Sequence, residues 1–169
     1  MAFWRSYAHL VWATKNRDPF IRPQIEANLY AQIVKTAAEL GCYVHSINGM
    51  PDHTHLAISI PPKHAVAYVV KMLKGSSAHF VNHILRPVEY HFAWQRGYGY
   101  LTLGQSQLPT AIAYVQQQKE HHRLGSTDGW LERYDDLDEG PDFIPTRTEE
   151  ESVLKETVAV YQINEQSPF

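Results

Sequence analysis

The chain has 169 residues, enough for one domain around one hydrophobic core. Its hydrophobic fraction of 44% contains no apolar run near the roughly 18 residues that span a bilayer, which excludes a membrane-spanning helix. The net charge of -3 hides a division: residues 1–125 hold 12 Lys/Arg against 6 Asp/Glu and all 10 histidines, whereas residues 126–169 hold 3 against 12.

Met1 to Ser6 lacks the basic leader and apolar stretch of a signal peptide. Cys42 is the single cysteine, which leaves no internal disulfide and fits a reducing cytoplasm. Ser6 to Thr14 mixes β-branched, aromatic and apolar residues and predicts a strand, closed by the polar cluster Lys15 to Pro19. A helix follows, with Pro23 in its first turn, Ile25, Leu29, Ile33 and Ala37 at helical spacing, and Gly41 at its end. Cys42 to Asn48 predicts a second strand, and Asn48-Gly49-Met50-Pro51 a turn.

The strand after that turn carries His53 and His55 two residues apart. Alternate residues of a strand share a face, so both imidazoles point one way while Leu56, Ile58 and Ile60 point to a core. Neutral imidazole is the commonest protein metal ligand, and two side by side can chelate a divalent ion. Pro61-Pro62 ends the strand. Histidine-triad nucleotide hydrolases need a third alternating histidine, and Ala57 stands in that place.

A second helix is expected from about Ala65 to about Leu85, with Val66, Val69, Val70, Leu73 and Phe80 as its apolar stripe and Lys71 and Lys74 off it. Ala93 to Leu103 is strand-like, interrupted or bulged at Gly97 and Gly99. A third helix runs from near Pro109 to near Arg123. On it Tyr114 and Gln118 share a face, and His121 and His122 lie one turn on. The element order β-α-β-β-α-β plus one helix predicts an α+β, ferredoxin-like antiparallel sheet covered by helices. The chain then divides into a body, 1–125, and an acidic C-terminal extension, 126–169. In that extension Asp135 to Pro141 reads as a solvated linker and Glu149 to Val160 as one short helix.

Six strings carry a resemblance. They are His9-Leu10-Val11-Trp12-Ala13-Thr14-Lys15-Asn16-Arg17, Gly49-Met50-Pro51-Asp52-His53-Thr54-His55-Leu56, Pro61-Pro62-Lys63, Leu73-Lys74-Gly75-Ser76-Ser77, Trp94-Gln95-Arg96-Gly97-Tyr98-Gly99-Tyr100, and Tyr114 through Arg123. In this order they resemble the small single-tyrosine transposases of the HUH superfamily, which include relatives acting on repetitive extragenic palindromes. Thr54 departs from the bulky apolar residue usual between the histidines, yet suits a strand.

The resemblance implies Tyr114 as a nucleophile that nicks single-stranded DNA and keeps a 5′-phosphotyrosine link, later resolved by a second strand's 3′-hydroxyl. It implies His53, His55 and Gln118 as ligands of Mg²⁺ or Mn²⁺, hairpin DNA ends as the partner, and a homodimer with merged sheets. Imidazole ligands favour softer ions, so Mn²⁺ is expected to bind at least as well as Mg²⁺. Lys15, Arg17, Lys71, Lys74 and Arg123 are the candidate phosphate contacts, with Lys63 and Lys119 beside them. Tyr98 and Tyr100 are candidates to stack on bases. Glu120 lies about 200° round the helix from Gln118, so no general base is assigned. The alternative is a non-catalytic hairpin DNA or RNA binder that has kept the fold.

Overall fold

The computed structural model describes residues 3–129 and 131–134. Asp135 to Pro141 and Glu149 to Val160 lie outside the described residues. Four strands, β1 (Tyr7–Ala13), β2 (Tyr43–Met50), β3 (His53–Ser59) and β4 (Gly99–Leu103), form one sheet. Its order is β2-β3-β1-β4, and every neighbouring pair is antiparallel. That is the ferredoxin-like arrangement expected from the element order, with β1 and β3 in the centre.

Strand alternation sends Ala8, Leu10, Trp12, Leu56, Ile58 and Ile60 into one core. Against them pack α1 (Pro23–Glu39), through Ile25, Leu29, Ile33 and Ala37, and α2 (Val66–Phe80), through Val69, Val70 and Leu73. The four-residue spacing of the α1 set is what makes its apolar stripe continuous. Each fully buried aliphatic side chain there contributes about 1.5–3 kcal/mol of transfer free energy. Pro23 opens α1 where its missing N–H is no loss, and Gly41, at φ +74°, follows its end.

Four local details differ from the pattern read in the sequence. The β2–β3 turn falls later, at Pro51-Asp52, because β2 continues in register to Met50, opposite His53. Gly49 makes this possible: a Cβ there would stand 2.2 Å from the His53 carbonyl oxygen. The second helix ends as a regular α-helix at Phe80 and closes with one π-turn, Val81–Leu85, before Arg86 at φ +48°. Before Gly99 the ladder gives way to single bridge residues, Trp94, which pairs with Thr14, and Tyr98. The carbonyls of Gln95, Arg96 and Gly97 instead accept from the Lys74 ammonium.

The last helix of the body is two helices, α3 (Leu108–Gln116) and α4 (Gln118–Leu124), broken at Gln117. Asn48 Nδ2 donates to the Gln116 carbonyl at 2.9 Å, while the Glu120 N–H turns to the Gln117 carbonyl. That exchange replaces the regular i→i−4 bond and sets the break. Gly125, at φ +66°, follows the end of α4. The chain then returns over the face of the sheet opposite α1 and α2, where the Arg133 carbonyl lies on Gly99. A Cβ on Gly99 would stand 2.0 Å from that oxygen. No helix among the described residues is long and apolar enough to cross a membrane.

Candidate active site

The second face of β1 and β3 is polar and equally buried. His53 and His55 project from it at 1% and 0% exposure, with ring centroids 5.1 Å apart. Each has its Nδ1 occupied from behind. His53 Nδ1 meets Asp52 Oδ1 at 2.7 Å, and Asp52 is held in turn by Arg17 Nε at 2.9 Å. His55 Nδ1 shares a 3.0 Å hydrogen bond with His9 Nε2 from β1. A partner on one ring nitrogen fixes the tautomer and aims the other nitrogen, which is how metal-binding histidines are oriented. Here both Nε2 atoms face one space. His55 Nε2 is buried with no hydrogen-bond partner.

The helices bring three more groups to that space. Tyr114 on α3 and Gln118 and His122 on α4 are successive steps of four residues, and they keep one line across the break at Gln117. The Tyr114 ring meets the His55 ring edge-on at 6.2 Å and stacks on His121 at 4.7 Å. Gln118 is fully buried. His122 Nε2 stands 3.2 Å from His53 Nε2.

At the centre of these groups is Glu132, from the stretch that follows Gly125. Its Oε1 accepts from the Tyr114 hydroxyl at 2.5 Å and from Gln118 Nε2 at 2.6 Å. Its Oε2 lies 3.3 Å from His55 Nε2 and 3.5 Å from both His53 Nε2 and His122 Nε2. The Tyr114 hydroxyl also accepts from the Asp128 N–H at 3.0 Å, and Gln118 Oε1 is left buried without a hydrogen-bond partner.

The electrostatics follow from this crowding. Burial opposes charge on Glu132, but the His53 and His55 imidazoles against it outweigh that and hold the carboxyl well below its usual range. Burial pulls His53 down, yet its bonds to Asp52 and Glu132 leave it raised. Burial lowers His55 and lowers His9 to about 3, which keeps His9 neutral behind it. Burial, then the bond to Glu132, pushes the Tyr114 phenol above its ordinary value. A phenol in this state is a poor nucleophile until positive charge replaces the carboxylate beside it.

The donor set fits a divalent metal. Two oriented imidazoles turn their Nε2 atoms to one space, that of His55 without a hydrogen-bond partner, and Gln118 offers an orphaned amide oxygen beside them. Of the residues singled out in the sequence, the fold thus gathers Tyr114, His53, His55 and Gln118 in one place. The basic candidates are dispersed. Lys15 and Arg17 sit in a short 3-10 turn after β1, and Lys71 is exposed on α2. Lys74 serves the loop carbonyls, and Arg123 makes two bonds to Glu120. Tyr98 packs against the core, and Tyr100 is exposed. Sequence reasoning missed Glu132, for which no local pattern exists, and the supporting pair His9 and Asp52. His9 was readable: it alternates with Leu10 and Trp12 onto the same face as the histidine pair.

Residues 2–118 match the family described as IS200-like transposases. Over 70 residues the chain is 37% identical to the ISDra2 transposase TnpA of Deinococcus radiodurans, covering 41% of this chain and 50% of that protein. The chain therefore spans about half the length of this curated relative. A putative transposase from Deinococcus radiodurans R1 shares the fold at a TM-score of 0.54 and 26% identity, over 70% of this chain and 95% of that one. A REP-associated tyrosine transposase bound to a REP hairpin shares the fold at a TM-score of 0.54 and 12% identity, over 75% of this chain and 76% of that one.

Proposed function

The chain belongs to the IS200-like transposase family, and from that premise we propose that it nicks and rejoins single-stranded DNA through Tyr114. The observation that carries the proposal is the meeting of the Tyr114 hydroxyl, the Gln118 amide and the His53 and His55 Nε2 atoms around one anionic group. Here that group is the Glu132 carboxylate. A scissile phosphate has the same charge sign and the same demand for donors.

In this reading the Tyr114 oxygen attacks phosphorus, a P–O bond to the tyrosine forms, and the P–O3′ bond breaks. The phenol gives up a proton, and the leaving 3′ oxygen gains one. Since one phosphodiester bond replaces another, resolution by a later 3′-hydroxyl needs no outside energy source. His53, His55 and Gln118 would hold Mg²⁺ or Mn²⁺, which would supply Lewis-acid stabilisation of the phosphoryl and leaving oxygens. Asp52 and His9 fix the two imidazole tautomers. The stacked His121 ring holds the phenol in line. The DNA carries hairpin ends, by analogy with the REP-bound neighbour, and the working unit is a homodimer.

The test is a single-stranded hairpin oligonucleotide incubated with Mn²⁺ and resolved on a denaturing gel. The native chain gives a covalent protein–DNA band. Tyr114→Phe removes it, by about 10⁴-fold or more, while hairpin binding persists. A band of undiminished strength from Tyr114→Phe would overturn the nucleophile.

A further inference from the structure

The geometry points to a four-donor divalent-metal seat formed by His53, His55, His122 and Glu132, in which Glu132 is the ligand that a phosphate must displace. This rests on the nicking activity proposed above only for the displacement step; the seat itself stands on distances alone.

Four ligand atoms at about 2.1 Å from a tetrahedral ion lie about 3.3–3.5 Å from one another. Four of the six separations are 3.2 Å for His53 Nε2 to His122 Nε2, 3.3 Å for His55 Nε2 to Glu132 Oε2, and 3.5 Å for Glu132 Oε2 to both other imidazoles. All four donors lie within 4.8 Å of one another. Three imidazoles and a carboxylate is a set for a borderline-soft divalent ion rather than for an oxygen-loving one. His55 Nε2 adds a further mark: it is fully buried and makes no hydrogen bond, and its near neighbour is the Glu132 carboxylate at 3.3 Å.

A seat filled by four protein ligands is closed, and a metal that acts on a substrate needs an open position. Three of the four donors stand on regular elements, His53 and His55 on β3 and His122 on α4. Glu132 alone comes from the irregular stretch beyond Gly125. Its other oxygen engages Tyr114 and Gln118, the groups that would address phosphate. The stretch is nonetheless seated, by the Arg133 carbonyl on Gly99. Glu132 thus closes the site at rest and opens it by leaving.

Cobalt(II) added to the full-length chain reads the seat without DNA, because tetrahedral Co²⁺ absorbs visible light far more strongly than six-coordinate Co²⁺. The native chain should show the intense bands at one ion per chain. Glu132→Ala and His122→Ala should each lose them and weaken Co²⁺ binding by at least the roughly 10–100-fold that loss of an outer-shell partner costs. Glu132→Gln keeps the volume of the side chain and should weaken binding as well, which guards against misfolding as the cause. Native bands and affinity in Glu132→Ala and His122→Ala would overturn the seat. Inorganic phosphate added to the Co²⁺-loaded native chain should shift those bands, and bands unmoved at saturating phosphate would overturn displacement. Failure of the tyrosine assignment would show only with Tyr114→Phe and would leave the cobalt spectra untouched.

Discussion

The two faces of the central strands are both buried, yet they do different things. All seven residues of β3 are buried, and burial alone does not separate its faces. On one face Leu10, Trp12, Leu56 and Ile58 join the apolar core with residues of α1 and α2, and the Trp12 indole N–H lies there without a partner. On the other, His9 and His55 bond to each other, His53 bonds to Asp52 and His122, and His55 Nε2 is left without a hydrogen-bond partner. Buried polar groups are normally satisfied, and on this face two unsatisfied ones, His55 Nε2 and Gln118 Oε1, converge beside Tyr114 and Glu132. The comparison teaches where to look in such a fold: the site is the buried face on which unpartnered polar atoms and titratable groups meet, not any face that holds one orphan.

The largest expected effect breaks the two faces apart by mutation. His55→Ala removes an imidazole aimed at the seat and should reduce metal-dependent adduct formation by about 10³-fold or more. Leu10→Ala, in the adjoining strand but on the other face, leaves a cavity and should cost about 2–5 kcal/mol of stability. Its adduct yield per folded molecule should be unchanged. Urea titrations with adduct gels on both variants check the pair. A Leu10→Ala chain that is as stable as the native one, or inactive while folded, would show that the faces are not separate.

A smaller effect comes from the ion itself. A ligand that binds only the folded state stabilises it by RT ln(1 + [L]/Kd), about 2.7 kcal/mol at a hundredfold excess over Kd. Mn²⁺ should therefore raise the thermal midpoint of the native chain, and a chelator should reverse the rise. His55→Ala should show neither change, whereas Leu10→Ala should show both from its lower starting point. Equal midpoints with and without Mn²⁺ in the native chain would argue against metal on the polar face.

Smaller again is the effect of unseating the returning stretch. Gly99→Val places carbon atoms where the Arg133 carbonyl now lies. The collision should lift Glu132 from the cluster and weaken Co²⁺ binding about tenfold, in the direction of Glu132→Ala. Isothermal titration of both variants measures it.

These variants also mark how far the sequence was legible. The sheet, its order and its apolar face follow from alternation and helical spacing, because residues such as Leu10, Leu56, Leu29 and Ile33 report local periodicity directly. The pairing of His53 with His55 was legible for the same reason. The break at Gln117 was not: it depends on Asn48, 68 residues before its Gln116 partner, reaching that carbonyl. Glu132 was hidden more deeply. It lies on no periodic element, and its place is set by a backbone contact to Gly99 that only the folded sheet creates. A glycine read in the sequence as a strand breaker is in the structure a paired strand residue that leaves room for another segment.

The smallest expected effect concerns two lysines three residues apart on α2, outside both sheet faces. Lys74 donates to three carbonyls of the loop before β4, so its charge is committed to holding that loop. Lys71 is exposed. If Lys71 meets a DNA phosphate, Lys71→Ala should flatten the plot of log affinity against log salt by about 0.7, the counterion share of one contact on a single strand. Stability should stay within about 0.5 kcal/mol, as for an ordinary surface change. Lys74→Ala should do the reverse: it leaves three carbonyls short of a donor and lowers stability by about 1–3 kcal/mol, with the salt slope unaltered. Fluorescence anisotropy of a labelled hairpin across a salt series separates the two. An unchanged slope for Lys71→Ala would remove it from the DNA surface, and a flattened slope for Lys74→Ala would place phosphate where the loop carbonyls now sit.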